Sequence, residues 1–560
     1  MTLAPPSSDR ILNIYLTLNR YPVLSSRIRA RMRKKIFKHN VISRKEFNEK
    51  ARKKAVLSQT REGIQNPFSE ESSETWDLRL ARVRDSLTDF YFSYSFPQET
   101  LQEIIDKILI ERGVVTPDLQ EFSPDFSSQD VAIDKATTIE NLPLEKRVPL
   151  EPRLQDTKVV LIRKLISDQL AYINIAKKWF KISDLKKIRS RKIGRGKIGG
   201  KAAGMLLAAR ILAEVAPDEI KKRIRTPDSY YLGSDVMYDM LESSGLMKWI
   251  DQKYKSEEKI RAEYSTLEKE FSKATFPDEI VEQLEDLIES AEKQPMIVRS
   301  SSLLEDNFGH SFAGKYESYF CPNQGTPEEN FAYLTSAIGR VYASALRAEP
   351  IIYRRQTGLI DYDERIAILI QFVEGEKVGD YFLPHGSGVA FSRNLYRWSA
   401  DIRREDGFLR LVWGLGTRAV NQTGNDYPRL VALSRPLLRP ADNIKAIQRY
   451  SQQYVDIIDL KANKFNTLPV SQVIHSRYAP LRYIAQNIEN GFLSALRTNI
   501  VDKDKLVITF DELLRRTSFA EDMKIALQLL EKHYKSPVDT EFSIKIPNPR
   551  AMHPEVEITL

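Results

Sequence analysis

A single cysteine, Cys321, is all that 560 residues contain. That excludes an internal disulfide framework and any cysteine-built metal cage, and it suits a reducing, cytoplasmic setting. Long apolar runs are missing as well: nowhere do roughly 18 apolar residues follow one another, so no membrane span is expected. The opening Met1-Thr-Leu-Ala-Pro-Pro-Ser-Ser-Asp9 lacks the basic and apolar regions of a signal peptide. Neither charge dominates. The 85 basic and 76 acidic residues leave a net +9, which suits phosphate handling and an ordinary solvated surface alike, and calls for no nucleic-acid partner. No internal repeat is present.

What remains is ample for a folded protein. At 42% hydrophobic, a chain of this length can bury large cores in two to four domains. Residues 9–112 read as helical. Trp76, Leu80, Val83, Leu87 and Phe90 recur at three- or four-residue spacing, as do Leu101, Ile104, Ile105, Ile108 and Leu109, a stripe that Gly113 closes as a C-cap. Residues 27–54 are densely basic with Ile28, Met32, Ile36 and Phe37 interleaved; a solvated amphipathic helix accounts for this better than an RNA or membrane surface does. Residues 113–157, rich in Pro, Asp, Ser and Thr without periodicity, read as a linker or long loop. A helix is expected over about 159–180, and helical and strand-like stretches alternate beyond it. Arg365-Ile-Ala-Ile-Leu-Ile-Gln371-Phe-Val373 and Ser387-Gly-Val-Ala-Phe-Ser392 are strand candidates. Residues 441–535 look mainly helical, and 536–560 return to strand-like alternation.

Four segments carry chemistry. Gly194-Arg-Gly-Lys-Ile-Gly199-Gly200-Lys201 satisfies the spacing of a dinucleotide fingerprint, but the charged residues before it cannot form the buried strand that motif needs. The P-loop pattern fails at Arg195 and Ala202. A glycine turn, a lysine and a small-residue helix remain; they suit phosphate at a helix N-terminus or close helix packing. Second is Arg299-Ser-Ser-Ser-Leu-Leu-Glu305-Asp306-Asn-Phe-Gly-His-Ser311-Phe-Ala-Gly314. Here Arg299 can fork onto phosphate oxygens, Ser300 and Ser301 add hydroxyls, and Glu305 and Asp306 can orient them or hold a cation. A structural Arg–Glu pair is the alternative. Third, Trp413-Gly-Leu-Gly416-Thr-Arg418 followed by Asn425-Asp426 permits close backbone approach, or is only a turn. Fourth, Asp539 and Glu541 are two apart, so in a strand both project from one face, a pair suited to Mg²⁺ or to an exposed strand edge.

Taken in order, Ile198-Gly-Gly-Lys201-Ala-Ala-Gly204, Ile297-Val-Arg299-Ser-Ser301, Ser387-Gly-Val-Ala-Phe391-Ser, Trp413-Gly-Leu-Gly416 and Asp539-Thr-Glu541 resemble the nucleotide-binding domain of the pyruvate phosphate dikinase and phosphoenolpyruvate synthase family. Val341-Tyr-Ala-Ser with Tyr353-Arg354 extends the match, which covers roughly residues 185–560. The resemblance implies an α+β, ATP-grasp-type domain preceded by a mainly helical N-terminal region. Its two subdomains would span 158–364 and 365–560, the second with a helical insertion at about 441–535. It implies ATP and Mg²⁺ as cofactors. Lys201 and Arg299 would act on the phosphates, with Ser300, Glu305 and Arg354 nearby. Gln371 and Val373 would line the adenine pocket, and Asp539 and Glu541 would face the metal. In that family a phosphoryl group passes from ATP to a histidine on a mobile domain, and a barrel domain then delivers it to pyruvate.

Three departures qualify the expectation. None of His39, His310, His385, His475, His533 or His553 lies in a Thr-Ser-His-Ala-like setting, and no barrel follows, so the histidine is expected on a separate domain or a downstream-encoded polypeptide. Thr417 stands where the family carries glutamate, with Asp426 near enough in sequence to substitute. The chain stops at Leu560, seemingly just before the family's Gln-x-Arg-Pro pattern. The expected activity is an ATP-dependent phosphotransferase module; a degenerate, non-catalytic nucleotide sensor is the alternative.

Overall fold

The computed structural model describes residues 8–19, 21, 24–62, 73–111, 124–125, 127–302, 315–361, 364–420, 426–441, 443–475, 478–496 and 503–560. The chain divides into two compact units, Met1–Leu161 and Ile162–Leu560.

In the first unit, helices Ser8–Asn19, Ser25–Lys38, Arg44–Arg61, Ser73–Ser95 and Gln98–Glu111 surround one core. Ile28, Met32 and Ile36 lie on one helical face and are fully buried, as their four-residue spacing requires. The basic residues opposite them find partners within the unit. Arg29 forks onto Asp89 at 2.7 Å, and Arg33 meets Asp85 at 3.1 Å, both on the helix Ser73–Ser95. Leu80 and Leu87 are buried as their spacing predicts, whereas Phe90 is 45% exposed. The proposed cap Gly113 lies outside the described residues.

The stretch expected to be a linker is in part helical. Ser128 caps Gln129–Glu140, which buries Ala132, Ile133, Ala136 and Ile139. Small alanines inside a polar sequence had masked this stripe. The helix expected over 159–180 is two helices, Glu151–Leu165 and Leu170–Trp179.

The second unit mixes helices with four sheets. A five-stranded sheet runs Lys192–Ile193, Ser229–Leu232, Ile366–Phe372, Met296–Ser302, Ser318–Cys321 in spatial order. Its central strand, Ile366–Phe372, is buried at six of seven positions, all of them apolar but Gln371, as suits a strand covered on both faces. This strand, expected to open the second subdomain, therefore belongs to the first sheet. The second large sheet has six strands, in the order Arg429–Ala432, Phe408–Val412, Gly386–Phe391, Asp539–Lys545, Glu557–Thr559, Ile224–Arg225. Each large sheet has its own apolar core. Residues 441–535 are not mainly helical. Their described residues hold the strands Tyr454–Asp459, Lys464–Pro469, Ala485–Glu489, Phe492–Ala495 and Leu506–Ile508 as well as five α-helices. Polar residues alternating along Lys464–Pro469 and Ala485–Glu489 dilute the hydrophobic signal there.

Two helices of the second unit meet at one glycine. A Cβ on Gly339, inside the helix Pro327–Ser344, would lie 2.0 Å from the carbonyl oxygen of Phe271. Glycine to alanine in a helix ordinarily stabilises by about 1 kcal/mol. Here Gly339→Ala is expected to lower the urea midpoint of unfolding; a midpoint equal to or above that of the wild type would contradict this packing.

Candidate functional site

The glycine turn lies against the strand Met296–Ser302. Gly199 has φ +82°, and a Cβ there would fall 1.5 Å from the carbonyl oxygen of Ser301, so only glycine permits the approach. The next turn of backbone is fixed by Ala202 N–H donating to Ser301 Oγ at 3.0 Å. Lys201 thereby begins the helix Gly200–Val215 beside the strand that carries Arg299. Two tyrosine hydroxyls hold this helix farther along: Tyr172 donates to the Ala203 carbonyl and Tyr534 to that of Gly204, both at 3.0 Å.

The backbone N–H groups of the glycine turn itself are engaged by protein. Asp235 accepts from Arg195 N–H and Gly196 N–H, each at 2.7 Å. Buried Lys192 caps the carbonyls of Arg195 and Gly196 at 2.9 and 2.8 Å. The turn is thus stitched shut, and the packing alternative explains its first glycines. Asp235 and Lys192 carry no local sequence signal, because nothing around them announces that the turn will fold onto them.

Strand alternation sorts the hydroxyls. Ile297, Arg299 and Ser301 face the Gly200–Val215 helix, while Val298, Ser300 and Ser302 face the other way. Ser300 is accordingly placed away from Arg299, on the side of the Val298 core. On that same side Ser302 donates to Glu364 at 2.6 Å, and Glu364 is paired with Arg354 at 2.9 Å. Arg354 is 3% exposed and also donates to the Ala345 carbonyl. It is committed to the buried pair, which corrects its expected place beside the phosphates. Glu305 and Asp306 lie outside the described residues.

On the helix-facing side the charges converge. Arg299 is hydrogen-bonded through Nη2 to Glu541 of the strand Asp539–Lys545 and, at 3.3 Å, through Nη1 to Gln371 Oε1; its Nε has no partner among the described residues. Gln371, expected in an adenine pocket, turns its side chain onto Arg299 and also approaches Met205 Sδ at 3.2 Å. Glu541 joins the two large sheets through this contact. Its pKa is held below the ordinary 4.5. Burial is the largest influence and pushes upward, but the charges of Arg299 and Lys201 and the Arg299 hydrogen bond overcome it. The side chain is nonetheless 46% exposed against 16% for Arg299. Asp539 is exposed and projects from the same strand face as Glu541, with Phe542 and Ile544 buried opposite.

An apolar cluster joins Val373, Phe320 and Ile458, with Leu415, Phe465 and Ile297 of the strand that carries Arg299 packed against it. Phe320 and Phe465 stack at 5.3 Å. The Trp413-Gly-Leu-Gly416 turn is tied down by Asp456, which is 5% exposed. Its carbonyl accepts from Leu415 N–H at 3.0 Å, and its carboxylate accepts from Thr417, Thr467 and Arg418. Asp426 pairs with Arg418 instead of standing in for a missing carboxylate at position 417. Asp456, thirty-nine residues from Thr417, was invisible to local pattern reading.

Among the described residues no three Asp, Glu, His or Cys side chains gather as a metal site. Two carboxylates on one strand face match Mg²⁺, which takes one or two carboxylates and completes its shell with water and phosphate oxygens. No helix among the described residues is long and apolar enough to cross a membrane.

Residues 195–552 match the family model described as pyruvate phosphate dikinase, AMP/ATP-binding domain. The chain is also similar to a rifampicin phosphotransferase of Streptomyces sviceus, 28% identical over 137 residues. That stretch is 24% of this chain and spans 14% of the relative's length.

The depressed pKa of Glu541 gives a pH signature. A carboxylate whose folded pKa lies below its unfolded one adds stability above the unfolded value and loses it as pH falls through the folded value. The difference in melting temperature between wild type and Glu541→Gln should stay constant above about pH 5 and shrink toward pH 3. A difference that does not change over that range would contradict the pairing.

Proposed function

The chain belongs to the pyruvate phosphate dikinase AMP/ATP-binding domain family, and from that premise we propose that Ile162–Leu560 binds ATP in an ATP-grasp-type cleft between its two large sheets and passes a phosphoryl group to a histidine on a separate domain or polypeptide. The observation that carries this reading is the convergence of Lys201, Arg299 and Glu541 from a helix N-terminus and two different sheets.

Each residue has a task that its surroundings suit. Lys201 and Arg299 neutralise and orient the phosphates, with the Arg299 fork matching two oxygens of one phosphate. Gln371 holds the guanidinium plane in place. Val373, Ile297, Leu415 and the Phe320–Phe465 stack offer the adenine an apolar bed. Asp539 and Glu541 would hold Mg²⁺, which supplies charge neutralisation between the phosphates when bound. Asp456 fixes the glycine turn so that its backbone can lie close to the ligand. Phosphoryl transfer asks little covalent chemistry of the protein, so positioning and charge do most of the catalysis. In this reading the five-stranded and six-stranded sheets contribute the two sides of the cleft, with the strand Ile366–Phe372 in the first.

Lys201→Ala and Arg299→Ala are each expected to weaken Mg·ATP binding by about 2–5 kcal/mol, because each leaves phosphate charge uncompensated. Isothermal titration checks this, and unchanged affinity in both variants removes the site. Acid-labile, base-stable label from γ-labelled ATP on a supplied histidine-bearing acceptor domain supports the transfer step. ATP binding without label on any such acceptor points to nucleotide sensing instead.

A further inference from the structure

Arg299 carries five N–H donors, and its fork is only partly filled by protein. Nη2 meets Glu541, Nη1 has a long contact with Gln371, and Nε has none among the described residues. Glu541 in turn draws on the two cations, Arg299 and Lys201, that the cleft offers to phosphate. The carboxylate therefore occupies the place that a phosphate oxygen would take. A nucleotide arriving without a metal must displace Glu541 from Arg299 and leave that carboxylate, with Asp539 on the same face, against its own negative charge. Breaking a charge pair so that one member stays uncompensated is costly. A nucleotide arriving with a divalent cation brings the displaced carboxylate a new positive partner.

We propose that Glu541 is a specificity-determining residue, which selects cation-bound nucleotide over free nucleotide by holding Arg299 until a divalent cation releases it. This rests on the nucleotide-site reading above. It concerns discrimination between two forms of the ligand, beyond the holding of metal by a carboxylate.

The test is ATP affinity measured with excess Mg²⁺ and with excess chelator, for the full chain and its variants. In chelator, Glu541→Gln is expected to bind ATP about tenfold tighter than wild type, the size of one charge-assisted hydrogen bond released to the ligand. In Mg²⁺ it is expected to bind more weakly than wild type. The gain in chelator must come through Arg299, so in an Arg299→Gln background the same substitution is expected to change affinity by less than about twofold. Glu541→Asp, which withdraws the carboxylate by one methylene, should shift affinity in the same direction and serves if the glutamine variant fails to fold. No gain in chelator, or a gain that persists in the Arg299→Gln background, overturns the proposal, since simple repulsion would then explain it. Failure of wild type to bind Mg·ATP would remove the nucleotide-site reading itself.

Discussion

The guanidinium of Arg299 is the charge at which the second unit's two large sheets are joined. It is largely shielded from water, and a shielded cation must be compensated by protein or ligand. Glu541 supplies that compensation from the other large sheet, so one ion pair both neutralises Arg299 and links two separate apolar cores. The position of Arg299 follows in turn from backbone geometry. Gly199 lets the turn before Lys201 touch Ser301, and the Ala202 hydrogen bond locks that contact. Three residues distant in sequence are thus brought together by one glycine and one strand register.

Surrounding interactions serve that arrangement. Asp235 and Lys192 hold the glycine turn from within, and Tyr172 and Tyr534 hold the helix behind it. Asp456 does the same for the second glycine turn, satisfying a backbone N–H, two hydroxyls and a guanidinium with one buried residue. Polar networks of this kind specify a single geometry because each member is costly to leave unpaired. The Arg354–Glu364 pair, which anchors Ser302, is a structural counterpart on the opposite face of the same strand.

How much was legible in the sequence depended on whether the signal was local. Helical stripes such as Ile28, Met32 and Ile36 were readable, since burial there follows a fixed period within one element. The types and order of Lys201, Arg299 and Glu541 singled them out in the sequence, and the structure brings the three together. Period-two alternation put Asp539 and Glu541 on one strand face, and the structure buries Phe542 and Ile544 on the other. The same rule applied to residues 299–302 would have sent Ser300 to the opposite face, but the run of hydroxyls drew attention to composition instead of parity. Arg354 resembled a ligand contact until its buried partner Glu364 came into view, ten residues away in sequence. Strands in 441–535 were missed because their alternating polar residues read as helix or loop. Asp235 and Asp456 were missed because partners so far apart in sequence leave no trace in a local window.

If ATP binds as proposed, Lys201, Arg299 and the Asp539–Lys545 strand form one ligand site. Hydrogen–deuterium exchange with and without Mg·ATP tests it most directly. Slowed exchange is expected together in the first turns of Gly200–Val215, in Met296–Ser302 and in Asp539–Lys545, since one ligand would bridge all three. Protection confined to one of these segments, or found only elsewhere in the chain, would contradict a shared site.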